Sequence, residues 1–167
     1  ACRCARILLE NGADRFAVAS LQEASALRDS DITAPILCLG YLPPRQYGAA
    51  IAYDIAIAVY TWEQGLALSR AAVAAGKTAT VHIKVDSGFG RLGFAVNEDS
   101  AQQVYRISQL PGLKLEGVFS HFAAADEKDK SFCHQQHAQF ERFIAMCAKK
   151  GVTFQLRHIA NSAAVID

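Results

Sequence analysis

Short runs of apolar residues, many of them β-branched, alternate along the chain with longer segments in which apolar residues recur every three or four positions. The short runs predict strands and the longer segments predict helices, because side chains repeat every two residues along a strand and about every 3.6 residues along a helix. Six strands are predicted, at residues 15–20, 35–40, 54–60, 80–85, 114–120 and 155–160. Helical patterns separate these strands.

Two of the predicted helices begin with a capping-box sequence, in which a hydroxyl side chain and a side chain three residues later satisfy free amides of the first turn. The two sequences are Ser20-Leu-Gln-Glu23 and Thr61-Trp-Glu-Gln64. Regular alternation of strand and helix predicts an α/β fold with a parallel sheet and right-handed crossovers. The pattern alone allows either a closed barrel or an open, doubly wound sheet.

Composition narrows the class of protein. The chain has 167 residues, 51% of them hydrophobic, and a formal net charge of +1 without runs of like charge, which argues against a nucleic-acid partner. Its five cysteines fall in predicted helices and strands, so we expect free thiols in a reducing, cytoplasmic setting. The apolar stretch at residues 49–60 is too short to cross a bilayer, and the N-terminus lacks a signal-peptide pattern. We therefore expect a soluble protein with no membrane partner.

The most informative segment is the run Val81-His-Ile-Lys-Val-Asp-Ser-Gly-Phe-Gly-Arg-Leu-Gly-Phe94, where a strand gives way to a glycine-rich turn. It places Lys84, Asp86 and Arg91 together at one strand end. Buried charge at a strand end is costly unless it is paired or meets a ligand. Two interpretations therefore stay open: ion pairs of Asp86 with Lys84 or Arg91, or a binding site that uses both cations.

Further polar residues follow other predicted strands. His121 comes directly after the fifth strand, and Asn161 and Ser162 open a helix after the sixth. In parallel α/β folds, ligands bind beyond the carboxyl ends of the strands. His121 could be an ordinary core histidine, and Asn161-Ser162 could be an ordinary helix cap or a phosphate site.

A third group, Cys133-His134-Gln-Gln-His137, has no second ligand pair at zinc-site spacing. We therefore predict no metal site and a polar helix face.

The run at residues 81–94 closely resembles the strand and loop of alanine racemases, which are pyridoxal-phosphate enzymes built on a (β/α)8 barrel. Three more segments resemble the same family in the same order: Phe16-Ala-Val-Ala-Ser-Leu-Gln-Glu-Ala24, Glu116-Gly-Val-Phe-Ser-His-Phe-Ala123 and His158-Ile-Ala-Asn-Ser-Ala-Ala164. The resemblance implies that residues 1–167 form an incomplete pyridoxal-phosphate-binding barrel domain. The predicted strands would be strands two to seven of a partial TIM barrel, without the first and last strands or the C-terminal β domain. Because a complete barrel takes roughly 250 residues and two parallel edges would be left open, we expect this piece to fold poorly alone.

The resemblance also implies roles for particular residues. Arg91 matches an arginine that contacts the substrate carboxylate and the phenolic oxygen of the cofactor. Lys84 matches a lysine that is often carbamylated and holds that arginine, although the residues alone would also allow Lys84 to be the lysine that binds the cofactor.

The other matching residues surround the cofactor in that family. His121 matches a histidine near the pyridine ring that hydrogen-bonds the catalytic tyrosine of the partner subunit. His158 matches a histidine that supports the arginine facing the pyridine nitrogen. Ser162 matches a residue that holds the cofactor phosphate, with Asn161 beside it.

The implied activity is the interconversion of L-alanine and D-alanine by a homodimer, which supplies D-alanine for peptidoglycan. A lysine and a tyrosine on opposite faces of the substrate exchange its α-proton, and neither base has a match in the chain. We therefore expect the isolated chain to be inactive. Departures from the family pattern are few, with Ser87 and Phe89 where threonine and methionine are frequent. The alternatives are a serine or other amino-acid racemase, or a non-catalytic pyridoxal-phosphate barrel that serves in binding or regulation.

Overall fold

A computed structural model describes residues 1–166 and contains seven strands and seven α-helices within that range. The strands are β1 Phe16–Val18, β2 Ile36–Cys38, β3 Ala56–Val59, β4 Ala79–Asp86, β5 Phe94–Ala95, β6 Leu113–Phe119 and β7 Leu156–His158. The helices are α1 Cys2–Glu10, α2 Leu21–Arg28, α3 Tyr47–Ala52, α4 Trp62–Ala74, α5 Glu98–Ser108, α6 Ser131–Lys149 and α7 Ser162–Ile166. A 3₁₀ helix, Pro44–Gln46, precedes α3.

Six strands form one parallel sheet in the order β1-β2-β3-β4-β6-β7, so that all six predicted strands are confirmed. The sheet curls into a half-barrel. The curl is visible in the distance between the Arg15 guanidinium, directly before β1, and the Glu116 carboxylate on β6, which lie 3.9 Å apart across the inside of the curve. This settles the choice between the two sheet types in favour of a partial barrel. The strands β1 and β7 are the edges of the sheet.

The strand β5 was not predicted. It pairs with the end of β4 through Val85↔Phe94 and Asp86↔Ala95 and lies outside the main strand order. Two residues directly after a glycine are too short to give a periodic apolar signal.

The two faces of the sheet differ in chemistry. Val81, Ile83 and Val85 of β4 point outward and belong to a core shared with the surrounding helices. His82 and Lys84 alternate with them and are buried on the inner side, at 3% and 5% exposure. The period of two along a strand therefore places apolar packing outside and ionisable groups inside.

The two predicted capping boxes have different outcomes. At α2 the box is complete, since Ser20 accepts from the Glu23 amide and the Glu23 carboxylate accepts from the Ser20 amide. At α4 Thr61 accepts from the Gln64 amide, but Gln64 Oε1 accepts from the Tyr60 amide instead of closing the box. The predicted donor to the Gln64 side chain was therefore wrong by one residue, Tyr60 in place of Thr61, because the buried Gln64 side chain turns toward the strand β3.

All five cysteines are free thiols in the structure. Of the helices that the structure describes, none combines the length and the apolar character that crossing a bilayer requires.

Arg28 holds the amino-terminal ends of β2 and β3 together. Its guanidinium donates to the carbonyl oxygens of four residues at 2.6 to 2.9 Å, namely Ile32, Ala34, Tyr53 and Asp54.

Replacing Arg28 by lysine tests this role, since lysine lacks the planar guanidinium that makes these bonds at once. We expect Arg28→Lys to lower the free energy of unfolding by roughly 1 to 2 kcal/mol in urea titrations, because the partly buried carbonyls of Ile32 and Ala34 lose donors. Arg70→Lys on the exposed side of α4 is the matched control, and an equal loss in both variants would contradict this role.

Candidate active site

A cavity of about 620 Å³ lies at the carboxyl ends of the strands, on the inner side of the half-barrel. Its volume is in the range typical of small-molecule sites. It is lined by Ala17, Val18, Ala19, Leu39, Gly40, Tyr60, Lys84, Arg91, Leu92, Phe119, Ser120, His121, His158 and Ala160. These lining residues include two cations and two histidines but no carboxylate, so the cavity favours an anionic ligand.

The glycine-rich loop, residues 87–93, is shaped by Asp86. Its carboxylate accepts from the amides of Gly88, Gly90 and Arg91 at 2.9 to 3.0 Å. Burial alone would raise the pKa of Asp86, but these amides outweigh it and hold the pKa below its ordinary value. Gly93 then passes so close to the backbone of β4 that a Cβ there would lie 2.7 Å from the Asp86 nitrogen.

Arg91 presents an exposed guanidinium at the cavity. Only its amide bonds to Asp86, so the alternative of an Arg91–Asp86 ion pair is not what the structure shows. The guanidinium lies 4.2 Å from the centre of the Phe89 ring, and the Phe89 ring meets the His121 ring edge-on at 5.5 Å. The three side chains form a row, which we call the Arg91–Phe89–His121 stack. Burial and the charges of Arg91 and Lys84 lower the pKa of His121.

Lys84 is buried beneath the same cavity. Its Nζ donates to the Val85 carbonyl at 3.0 Å and lies 5.3 Å from the centre of the Phe119 ring. The alternative of a Lys84–Asp86 ion pair is again not formed, because the Asp86 carboxylate is used by the loop amides. Burial lowers the pKa of Lys84 to about 8; Asp86 opposes this shift and Arg91 adds to it. A substantial fraction of this amine is therefore neutral at pH 8.

Tyr60 at the end of β3 is a cavity residue that the sequence analysis missed. Its hydroxyl donates to the Leu39 carbonyl, so it joins the ends of two neighbouring strands. Burial raises the pKa of Tyr60 to about 12, which keeps the hydroxyl protonated and available as a donor. The signal was its position as the last residue of the strand predicted at residues 54–60.

His158 closes the cavity on the β7 side. Its ring stacks on Phe119 at 5.0 Å with an angle of 4° and meets the His82 ring at 5.8 Å. The residue as a whole is exposed at the sheet edge. Desolvation by the atoms packed around the ring, together with the nearby His82 and Lys84, lowers the pKa of His158 to about 4, so this ring is neutral near pH 7.

His82 is a second residue that the sequence analysis missed. Its Nε2 lies 3.2 Å from Glu116 Oε2, while its Nδ1 is buried without a hydrogen-bond partner in the described chain. Because a carboxylate can only accept, Nε2 carries the proton. Burial lowers the pKa of His82 although Glu116 opposes this, which fits a neutral ring. The spacing of two residues from Lys84 was an available signal for His82.

Glu116 could not have been placed on the inner side from the pattern. A register shift in β6 pairs Val81 with Leu115 but His82 with Gly117, so that Glu116 is the extra residue of a bulge. Gly117 gives the imidazole room, since a Cβ there would lie 2.5 Å from His82 Nδ1.

Asn161 and Ser162 do not line the cavity. Asn161 Nδ2 donates to the Phe122 carbonyl at 3.2 Å, and its Oδ1 accepts from the Ala164 amide at 3.0 Å. The side chain therefore acts as a helix cap and as a support for the segment that carries His121. Ser162 is exposed at the start of α7.

The prediction of a polar face at residues 133–137 was wrong at one position. Gln136 is 1% exposed, whereas its neighbour Gln135 is exposed. Across the described chain, residues 1–166, no cluster of three or more His, Cys, Asp or Glu side chains is arranged to hold a metal ion.

A family model described as the N-terminal domain of alanine racemase matches residues 1–167. The chain belongs to the alanine racemase family. Within it, the alanine racemase of Clostridium tetani is 44% identical over 166 residues, which are 98% of this chain and 42% of that protein. The alanine racemase of Methanococcus maripaludis is 40% identical over 162 residues, or 97% of this chain and 43% of that protein. The chain thus spans less than half the length of these relatives.

Solved structures of the family agree with the fold. A Clostridium difficile 630 alanine racemase in complex with cycloserine has a TM-score of 0.97 at 36% identity, covering 99% of this chain and 46% of that one. A Bacillus anthracis alanine racemase with bound L-Ala-P has a TM-score of 0.86 at 39% identity, covering 98% and 42%. A histidine racemase from Leuconostoc mesenteroides has a TM-score of 0.86 at 28% identity, covering 96% and 42%. The partial barrel is therefore the fold of racemases that differ in substrate.

Proposed function

We propose that a longer protein containing this chain is a pyridoxal-phosphate-dependent alanine racemase, which interconverts L-alanine and D-alanine. The observation that carries the proposal is the cavity at the strand ends, where Lys84 and Arg91 face a space without a lining carboxylate. Family membership supports the reaction class. In this proposal the protein is a cytoplasmic homodimer that supplies D-alanine for peptidoglycan.

The cavity suits the cofactor, which bears a phosphate and a phenolic oxygen and therefore needs cationic neighbours. When bound, pyridoxal phosphate supplies a ring that stabilises negative charge at the α-carbon of the substrate. In our proposal Arg91 holds a carboxylate or phenolic oxygen with its planar fork, while His121 and neutral His158 lie beside the ring. Ser162 and Asn161 would hold the phosphate, for which Asn161 would have to exchange one of its present backbone bonds.

Lys84 is proposed as a modified residue. The neutral amine would add to carbon dioxide through a new N–C bond and release one proton to solvent, and the adjacent charge of Arg91 would stabilise the resulting carbamate anion. We expect a carbamate resonance in ¹³C NMR after addition of ¹³C-bicarbonate at about pH 8, declining at lower pH as the amine becomes protonated. Lys84→Met should abolish it, and Lys77→Met, at an exposed position, should not. A resonance that persists in Lys84→Met would contradict this assignment.

The experiment that tests the function uses the longer protein with added pyridoxal phosphate. We expect two results with L-alanine in deuterated water: loss of the α-proton, and formation of D-alanine, which is detected by chromatography on a chiral column. L-Serine and L-histidine are run in parallel, because the fold also occurs in a histidine racemase. Faster exchange of either amino acid would favour that substrate. Cofactor binding without any exchange would favour a non-catalytic binding module.

The 167-residue chain serves as the second arm of this experiment. We expect it to be inactive, because both proposed bases lie outside it. Borohydride reduction followed by mass analysis should give a cofactor adduct in the longer protein, on a lysine outside this chain. An adduct on Lys84 would overturn the assignment and make Lys84 the cofactor lysine.

A further inference from the structure

Gln136 is a buried polar side chain of α6 that points toward the candidate site. Its Oε1 accepts from the Ala123 amide at 2.9 Å, and its Nε2 donates to the His121 carbonyl at 3.2 Å. These backbone partners fix the orientation of the side-chain amide, because an N–H group can only donate and a carbonyl can only accept. At 1% exposure the Gln136 side chain itself is shielded from solvent, which strengthens these bonds.

The segment that Gln136 holds has left the sheet. Its last strand-like bond runs from the Ser120 amide to the His158 carbonyl at 3.1 Å, and β6 ends at Phe119. The positions of His121 and Ala123 therefore depend on side chains, with Gln136 on one side and Asn161, which bonds the Phe122 carbonyl, on the other. A loop residue held in this way keeps the precision of the helix that supports it.

The same side chain also supports the glycine-rich loop. A Cβ built on Gly88 would lie 3.4 Å from Gln136 Cγ and 3.6 Å from the Phe132 ring, so the loop backbone rests on this part of α6. The next residue is Phe89, whose ring stands between His121 and Arg91. Gln136 thus bonds one of the two segments that meet in the Arg91–Phe89–His121 stack and lies beside the other.

We propose that Gln136 is a positioning residue, which holds the backbone of His121 so that its ring meets Phe89 and keeps Arg91 in place at the cavity. The effect on catalysis rests on the proposed racemase function, whereas the effect on His121 geometry does not. Gln136→Met tests the proposal with little change in shape, because its thioether cannot donate to the His121 carbonyl and adds no charge that would by itself shift the titration of His121. Gln136→Leu also removes both bonds. Gln135→Leu is the matched control, since Gln135 is exposed on the same helix turn.

The experiment uses the longer protein with its cofactor and has two readouts. The first is an NMR titration of histidine labelled at Cε1, with His121 assigned by substitution. Burial, Arg91 and Lys84 hold the pKa of His121 below its ordinary value, so release of the ring should raise it in both Gln136 variants and not in Gln135→Leu. The second is kcat/KM for racemisation, which should fall about tenfold or more in the Gln136 variants, as for other groups that orient a reacting residue.

An unchanged His121 titration in Gln136→Met would overturn the proposal, and so would a kcat/KM equal to that of Gln135→Leu in an active protein. If Gln136→Leu does not fold, Gln136→Met carries the test by itself. The titration requires no turnover. A protein without racemase activity would therefore contradict the proposed function, and the titration would still decide whether Gln136 positions His121.

Discussion

Replacing Arg91 by lysine in the longer protein should lower kcat/KM for racemisation about a hundredfold, in both directions of the reaction. Lysine keeps the charge but loses the planar fork of donors and the contact of the guanidinium with the Phe89 ring. A loss of about 3 kcal/mol of binding to an anionic group corresponds to this change in rate. Steady-state rates with L-alanine and with D-alanine are the measurement.

The matched control is Arg106→Lys. Arg106 on α5 lies over the Trp62 ring at 4.1 Å, which is the same kind of contact, but neither residue lines the cavity. This variant should keep the activity of the unmodified protein. Activity of Arg91→Lys within about twofold of that control would show that Arg91 does not hold the substrate or the cofactor.

Replacing Gly93 by alanine should strongly destabilise the protein. Gly93 has a φ of +130°, and a Cβ there would lie 2.7 to 2.8 Å from backbone atoms of Lys84, Val85 and Asp86. Because backbone atoms of a central strand cannot move aside, we expect a loss of at least about 3 kcal/mol in the free energy of unfolding. The loop should detach from β4, and activity should be lost with it.

Gly90→Ala separates this steric effect from the backbone preference of glycine. Gly90 also has a positive φ, of +73°, but a Cβ there meets nothing within 4 Å. Its replacement should cost only about 1 kcal/mol. Equal losses for the two variants in urea unfolding would show that the close approach of Gly93 to β4 is not what matters.

The sequence allowed the six strands of the main sheet to be predicted because each is a short apolar run between helical patterns. It also indicated the end of the sheet where ligands would bind, since Lys84, Arg91 and His121 all lie at or just after the end of a predicted strand. Their convergence on one cavity follows from the parallel topology, which puts every carboxyl end on the same side.

Other features depend on interactions that a residue pattern does not contain. The bulge at Glu116 changes which residues of β6 face inward, and no local signal marks it. The sequence pattern places Gln136 on a polar helix face, yet its side chain is buried and hydrogen-bonds two backbone groups of a loop that is distant in sequence. Asp86 has two cationic neighbours in sequence, but three amides of its own loop are closer. In each case a tertiary contact outweighs the local preference.

The pairing of β5 with the strand that precedes it has a consequence for protein design. Residues 84–95 leave β4 and return to it, so the amine of Lys84 and the guanidinium of Arg91 are carried by one strand and one closed loop. Such a unit could be transplanted onto a strand of another barrel without its neighbouring helix α5. The recipient would have to provide two supports: a hydroxyl such as that of Ser120, which bonds Ser87 at 2.7 Å, and a side chain such as Gln136 beneath Gly88.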